Sequence, residues 1–416
     1  MRHSKSKPTT DTEDTPRLVA KEYIIPFILI TLLFLLWGGA RSMMDVLNKH
    51  VQMQMDIGHF QSSLMQAMTY GAYFLGAIPA GLLIRRFGTR RGVIVGLLTF
   101  AVGSLSFIPL CSANEFYYIL PPLFIVGAGL VVLETAANPY VTLLGDPRTS
   151  ASRLNLSQSM NGLGCVIGVF LGGHYFFQED DPTASSSVSI AVPYTVIALI
   201  VIVVAVIFSR VKLPEVSQQR RETGSHKQNP SHTKLGFAFF FGLLALVSYE
   251  ISEISINTFF VNYMTDDGAL SPKDASTLLS IGGLGFFMMG RICGGIIMRY
   301  ISSETLLLYC AVGTIACMIL TIIPLGTVSY AALVACYIFE SIMFPTIFAL
   351  ALRGQEDNTE RASSILMMSV VGGAIGPVTM GAVAELTDIT FSFIVPLVTF
   401  IIVLAYAVYV KFQHAK

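Results

Sequence analysis

Charge is what this sequence has least of. Asp, Glu, Lys and Arg make up 12% of its residues, about half the share of a soluble domain. The 26 basic and 26 acidic residues cancel, so no basic excess argues for a nucleic-acid partner. The six cysteines, Cys111, Cys165, Cys293, Cys310, Cys317 and Cys336, all fall in apolar segments without a C-x-x-C pair. That is the pattern of small buried hydrophobes rather than of a metal or redox centre. The histidines sit in the tails or near segment ends and lack metal-ligand spacing. There is no phosphate loop, nucleophile elbow or zinc motif, so neither a cofactor nor an enzymatic centre is expected. The first twenty residues are polar and lack the apolar core of a signal peptide, which argues against a processed secretory protein.

Hydrophobic residues, in contrast, fill 53% of the chain and gather in runs of about twenty, the length that crosses a bilayer as a helix. Twelve such spans are expected, near 23–48, 59–84, 91–111, 116–144, 152–177, 189–209, 236–263, 274–299, 304–324, 328–352, 361–385 and 390–410. The expected fold is therefore all-α and integral to a membrane. The longest polar connection, 210–235, divides the chain into six spans plus six. The implied organisation is a tail over 1–22, a first half over 23–209, the central loop and a second half over 236–416.

Lysine and arginine indicate direction. With the N-terminus inside, cytoplasmic segments collect Arg2, Lys5, Lys7, Arg17, Lys21, Arg85, Arg86, Arg90, Arg91, Arg148, Arg153, the six basic residues of the central loop, Arg299, Arg353, Arg361, Lys411 and Lys416. Outer loops keep only Lys49 and Lys273, while Arg41 and Arg291 lie within or at the edge of spans. This asymmetry puts both termini in the cytoplasm of a multi-pass plasma-membrane protein, the inner membrane in a bacterial cell.

The halves echo each other. Span two ends Gly81-Leu82-Leu83-Ile84-Arg85-Arg86, and span eight ends Gly295-Ile296-Ile297-Met298-Arg299. Two parallel six-helix halves resemble the layout of the major facilitator superfamily, which implies a site at the midplane between them. Gly282, Gly283, Gly285 and Gly290 cluster in span eight, and Gly372, Gly373, Gly376 and Pro377 in span eleven. Such clusters serve either static close packing or bending during alternating access.

One polar run inside an apolar span stands out, because an acid in lipid is expensive and marks a functional site. It reads Glu134-Thr135-Ala136-Ala137-Asn138-Pro139-Tyr140, followed by Arg153-Leu154-Asn155-Leu156-Ser157-Gln158-Ser159-Met160-Asn161. Further matches are Leu36-Trp37-Gly38 with Asp45-Val46-Leu47, Tyr249 with Glu253-Ile254-Ser255-Ile256, Gly290-Arg291, Ser341-Ile342-Met343-Phe344-Pro345 and Val371-Gly372-Gly373. Together they resemble the fucose–galactose–glucose:proton symporter family over nearly the whole chain. The resemblance implies a twelve-helix symporter of hexoses or related sugars. It also implies that Asp45 and Glu134 take part in proton coupling and that Gln158 and Asn161 contact substrate. A carboxyl group in low dielectric can take up and release a proton near neutral pH.

Other candidates follow from side-chain chemistry. Sugar recognition needs groups that both donate and accept hydrogen bonds, beside an apolar wall. Asn138 lies one turn beyond Glu134. Glu250, Glu253 and Asn257 share one stripe of span seven. Trp37 offers a ring for stacking or for packing. Arg41 departs from the resembled family, and Arg41 and Asp45 are i,i+4 neighbours. Three roles stay open for Arg41: pairing with Asp45, binding an anionic group, or snorkelling to the outer surface.

The leading expectation is a monomeric secondary active transporter importing a monosaccharide with H⁺. The alternatives are Na⁺ coupling, an anionic or amino-substituted sugar suggested by Arg41, Glu250 and Glu340, and a non-transporting membrane sensor. The sensor reading lacks a large cytoplasmic signalling domain in its support.

Overall fold

Apolar runs of membrane length satisfy all their backbone hydrogen bonds internally only as helices or closed barrels. Here they are helices: among the described residues all regular structure is helical. The structure, a computed structural model, describes residue 19 and residues 21–111, 115–144, 150–177, 188–211, 236–268, 270–298, 300–353, 362 and 365–413. Most of the N-terminal tail, the central loop from 212 to 235, and Arg148, Arg299 and Arg361 lie outside the described residues, so these topology markers carry no structural account.

Among the described residues twelve long helical rods follow in order. They are α1 (Ile24–Met55), α2 (His59–Phe87), α3 (Thr89–Leu105, extended by Phe107–Cys111), α4 (Leu120–Leu143), α5 (Ser150–Phe176) and α6 (Val188–Arg210). The second set is α7 (Phe237–Thr265), α8 (Pro272–Ile297), α9 (Ser303–Ile322), α10 (Thr327–Leu352), α11 (Ile365–Leu386) and α12 (Ile389–Gln413). Among the described residues, eleven of these rods are long and apolar enough to cross a membrane. The remaining one, α5, carries Arg153, Ser157, Gln158 and Asn161 in its first turns and packs against α1. Ser157 and Thr31 share a hydroxyl–hydroxyl bond of 3.0 Å, Asn161 Nδ2 donates to the Phe34 carbonyl (3.1 Å), and Ser42 Oγ donates to the Cys165 carbonyl (3.0 Å). A Cβ at Gly164 or Gly168 would run into the backbone carbonyls of Leu35 and Gly39. Small residues let the two backbones close up, as membrane helices require.

The pairings repeat with an offset of six helices. α1 packs on α5, α2 on α4, α3 on α4 and α3 on α6; likewise α7 packs on α11, α8 on α10, α9 on α10 and α9 on α12. Two further pairs, α2 with α11 and α5 with α8, join the first six rods to the last six. The offset turns one of these cross pairs into the other, the arrangement of an internal pseudo-two-fold. Large apolar side chains face outward where lipid would lie. On α6, Val192, Val196, Leu199, Val203 and Val206 form one exposed stripe. Asp45, Gln66, Glu250 and Glu340 are buried inside.

Some boundaries differ from the sequence expectation. α1 runs on from 48 to Met55. Its polar end is covered by protein, where Gln52 Nε2 donates to Asn48 (2.8 Å) and to Ser62 (2.6 Å). Three rods of the second half are irregular. α8 contains a π-helical stretch over Leu278–Leu284 that includes Gly282 and Gly283. α10 is interrupted at Ser341-Ile342. In α11, a 3₁₀ turn over Met368–Val371 precedes Gly372. Such departures from α geometry cluster at functional places.

Candidate functional site

The buried polar residues of both sets converge between α1, α2, α4, α5, α7, α8 and α10. Asp45 is 9% exposed on α1, and its Oδ1 accepts from Gln66 Nε2 of α2 at 3.0 Å. Arg41 stands one turn earlier on the same helix but does not pair with Asp45. Its Nε donates to the Tyr70 hydroxyl at 2.7 Å, and its guanidinium lies 5.2 Å from the centre of the Tyr70 ring. It also stands within electrostatic range of Glu134 and Glu253. The side chain is thus tied into the bundle rather than extended to the outer surface.

Glu134 is half-buried on α4, and its Oε1 accepts from the Tyr73 hydroxyl of α2 at 2.8 Å. Tyr70 and Tyr73 lie with ring centres 5.9 Å apart. The two tyrosines therefore bridge Arg41 on α1 to Glu134 on α4. One turn beyond Glu134, Asn138 Oδ1 accepts a long bond of 3.4 Å from Gln158 Nε2 on α5. Asn161 spends a donor on the Phe34 carbonyl. Glu134, Asn138, Gln158 and Asn161 are all partly exposed, lining one wall of the interior.

The opposite wall comes mainly from α7. Asn257 Oδ1 accepts from the Tyr337 hydroxyl of α10 at 2.8 Å. Glu253 is partly exposed, whereas Glu250 is 5% exposed and its Oε2 lacks a hydrogen-bond partner. Gly372 and Gly376 of α11 lie against the α7 backbone at Val247 and Ile251, which sets how close that wall can come. Trp37 sits apart from this group. It is 3% exposed, with its ring 4.2 Å from that of Phe34 in the apolar core. Its ring is therefore covered by packing in this conformation.

The α2 face of Gln66, Tyr70 and Tyr73 was not among the residues singled out from sequence. Its signal was available: i, i+4 and i+7 positions fall on one side of a helix, and two tyrosines and a glutamine there can donate to acids on neighbouring helices. What was missing was any local sign of which helix α2 would face.

The first and last six rods touch chiefly at one end of the bundle, the end carrying the α1–α2, α7–α8 and α11–α12 turns. There the Phe60 amide donates to Glu385 Oε1 at 3.0 Å, and an added Cβ at Gly173 would collide with Ser276. Nearer the middle, Ser280 Oγ donates to the Val166 carbonyl at 2.7 Å, and Gly373 lies on the Tyr70 ring. The polar interior is thus sealed towards that end. Chemically it brings carboxyl groups, amides, phenols and the guanidinium groups of Arg41 and Arg291 together between pseudo-symmetric helices. Among the described residues no group of three or more His, Cys, Asp or Glu is placed to hold a metal ion.

Comparison with known proteins gives consistent results. A sequence profile described as Major Facilitator Superfamily matches residues 26–370. A glucose/galactose transporter of Brucella abortus biovar 1 (strain 9-941) is 34% identical over 401 residues, covering 95% of this chain and 96% of the relative. An L-fucose-proton symporter of Escherichia coli (strain K12) is 30% identical over 411 residues, covering 93% of each. The crystal structure of FucP, a transporter solved in the outward conformation, superposes with a TM-score of 0.70 at 28% identity, covering 94% of this chain and 99% of that one.

Proposed function

The chain belongs to the Major Facilitator Superfamily, a family of membrane transporters rather than enzymes, and on that premise we propose that it imports a monosaccharide by symport with H⁺ through alternating access. The observation that carries this reading is Glu134. It is an acid inside a span of the motif shared in resemblance with sugar symporters, tied to Tyr73 and facing the interior beside Asn138 and Gln158. A carboxyl group within a span can exchange its charged for its neutral form, and so can carry a proton.

The roles follow from placement. Glu134 and Asp45 carry the coupling proton. Gln158, Asn161 and Asn138 bind sugar hydroxyls from one wall, and Asn257 and Glu253 from the other. The two bodies that rock are 23–209 and 236–416, joined by the loop 210–235, with both termini in the cytoplasm and one chain as the working unit. In that orientation the sealed end is the outer one, so the conformation described opens inward.

A second reading is favoured by Arg41, whose guanidinium is hydrogen-bonded to Tyr70 in the interior and also lies within electrostatic range of Asp45. On that reading the sugar carries an acidic or amino substituent, and Arg41 and Glu253 sort the charge.

The test is uptake of radiolabelled sugars into proteoliposomes under imposed pH or sodium gradients. Accumulation of a hexose or related monosaccharide is expected when the outside is acidic. Accumulation driven by sodium alone, without pH dependence, refutes proton coupling. Absence of uptake for neutral, acidic and amino sugars alike refutes the sugar assignment.

A further inference from the structure

The fourth span of each half carries the same spacing, Glu-x-x-x-x-Pro: Glu134 to Pro139 and Glu340 to Pro345. The helix pairings repeat in step, since α4 packs on α2 and α3 as α10 packs on α8 and α9. Glu340 therefore occupies in the second half the place that Glu134 occupies in the first.

Its surroundings differ in one respect. Glu134 has the Tyr73 hydroxyl, whereas Glu340 is 0% exposed and neither of its carboxyl oxygens has a hydrogen-bond partner. A bare carboxylate in that position would carry the full cost of an unpaired buried charge, several kcal/mol. The acid sits at the interruption of α10, where the next residue, Ser341, offers its carbonyl to Arg291 Nε of α8 at 3.1 Å. The Arg291 guanidinium lies 4.4 Å from the centre of the Phe287 ring. A cation thus waits beside the acid while spending its Nε donor on backbone. The contact is close, because an added Cβ at Gly290 would collide with Ser341 Oγ. The other polar groups facing Glu340 are Glu253 and Tyr249 of α7 and Cys317 of α9, with Cys336 and Tyr337 on α10 itself.

We propose that Glu340 carries a second proton, beyond the one handled by Glu134 and Asp45, from the place that the internal repeat matches to Glu134, and that Arg291 is the cation that takes over its charge when it empties. The step is a proton transfer only. The Glu340 O–H bond breaks, the proton passes to cavity water, and the remaining carboxylate pairs with Arg291, which leaves the Ser341 carbonyl as α8 and α10 shift. Two protons then enter with each sugar. This rests on the symport reading above for its stoichiometry, and on the site alone for the state of the acid.

Two measurements separate those dependencies. The first is the zero-flux gradient of D-galactose, D-glucose or L-fucose in proteoliposomes clamped at known membrane potentials. Each 59 mV shifts that gradient about 10-fold for one charge per sugar and about 100-fold for two. Wild type is expected to follow the two-charge slope, and Glu340→Gln the one-charge slope with sugar counterflow retained. A one-charge slope in wild type, or an unchanged slope in Glu340→Gln, overturns the proposal. If the glutamine variant does not fold, Glu340→Asp keeps the carboxyl and should keep the two-charge slope; a one-charge slope there also overturns it.

The second measurement needs no transport. Infrared spectra of the purified protein in lipid at neutral pH should show a protonated-carboxyl C=O band that loses one component in Glu340→Gln or shifts in Glu340→Asp. An unchanged band refutes the proton-carrier role even if sugar symport is established. A lost component without accumulation of any of the three sugars leaves Glu340 as a proton site and refutes the sugar reading instead.

Discussion

Gly381 is the position where the sealed end can be tested most sharply. It lies on α11 against the first turn of α2, and an added Cβ would come 2.7 Å from the His59 carbonyl oxygen and 3.0 Å from Phe60 Cα. Both are backbone atoms of a helix start whose Phe60 amide is already held by Glu385, so neither can yield without moving the helix. Gly381→Leu adds four carbons there. Overpacking of a close contact costs about 1–3 kcal/mol. That cost falls only on conformations in which α2 and α11 touch at this end. The population therefore moves towards the state open at this end by about 5- to 150-fold, and concentrative uptake is expected to fall by a similar factor at low sugar. Binding of external sugar survives, because the residues lining the two walls are untouched. Gly295→Leu is the control, since an added Cβ there meets nothing within 4 Å, and it should transport as wild type does. The assay pairs proteoliposome uptake with equilibrium binding of the same labelled sugar. If Gly381→Leu accumulates sugar at the wild-type rate, the α2–α11 contact is not part of the transport cycle and the argument fails.

Other perturbations follow from the same geometry. Glu134→Gln keeps shape and hydrogen bonding but cannot carry a proton; it should lose accumulation while retaining counterflow, and normal accumulation would return Glu134 to a packing role. Gln158→Ala and Asn257→Ala each remove a polar partner from one wall, and a buried substrate group left unsatisfied costs about 1–3 kcal/mol. Apparent affinity should therefore weaken by about 5- to 150-fold in each, and unchanged binding isotherms in both would move the site elsewhere. Arg41→Gln removes a cation held in the cavity by Tyr70; comparing a neutral with an acidic sugar should reveal a loss selective for the acidic one if the second reading holds. Equal effects on both sugars would set that reading aside.

Much of this protein could be read along the chain because the governing physics is local. A run of about twenty apolar residues must become a helix in lipid, since water is absent and the backbone has to satisfy itself. That rule leads to twelve spans, α5 among them despite the polar start at Arg153, Ser157 and Gln158. An acid such as Glu134 within a span announces itself by cost, and spacing alone puts Glu250, Glu253 and Asn257 on one side of α7.

Choice of partner is different, because it depends on helices far away in sequence. Arg41 had Asp45 within reach on its own helix, yet the fold brings Tyr70 of α2 to Arg41 and Gln66 of α2 to Asp45. Trp37 looked available for stacking until α1 packed its ring into the core with Phe34. The polar end of α1 became helix rather than loop because α2 covers Asn48 and Gln52. The sealed end exists only where Gly381 and Gly173 let two halves approach. Residue types and their periods determined what this chain is built from and that it lies in a membrane; tertiary packing decided which charges meet and which end is closed, because those contacts are set by neighbours that sequence spacing does not specify.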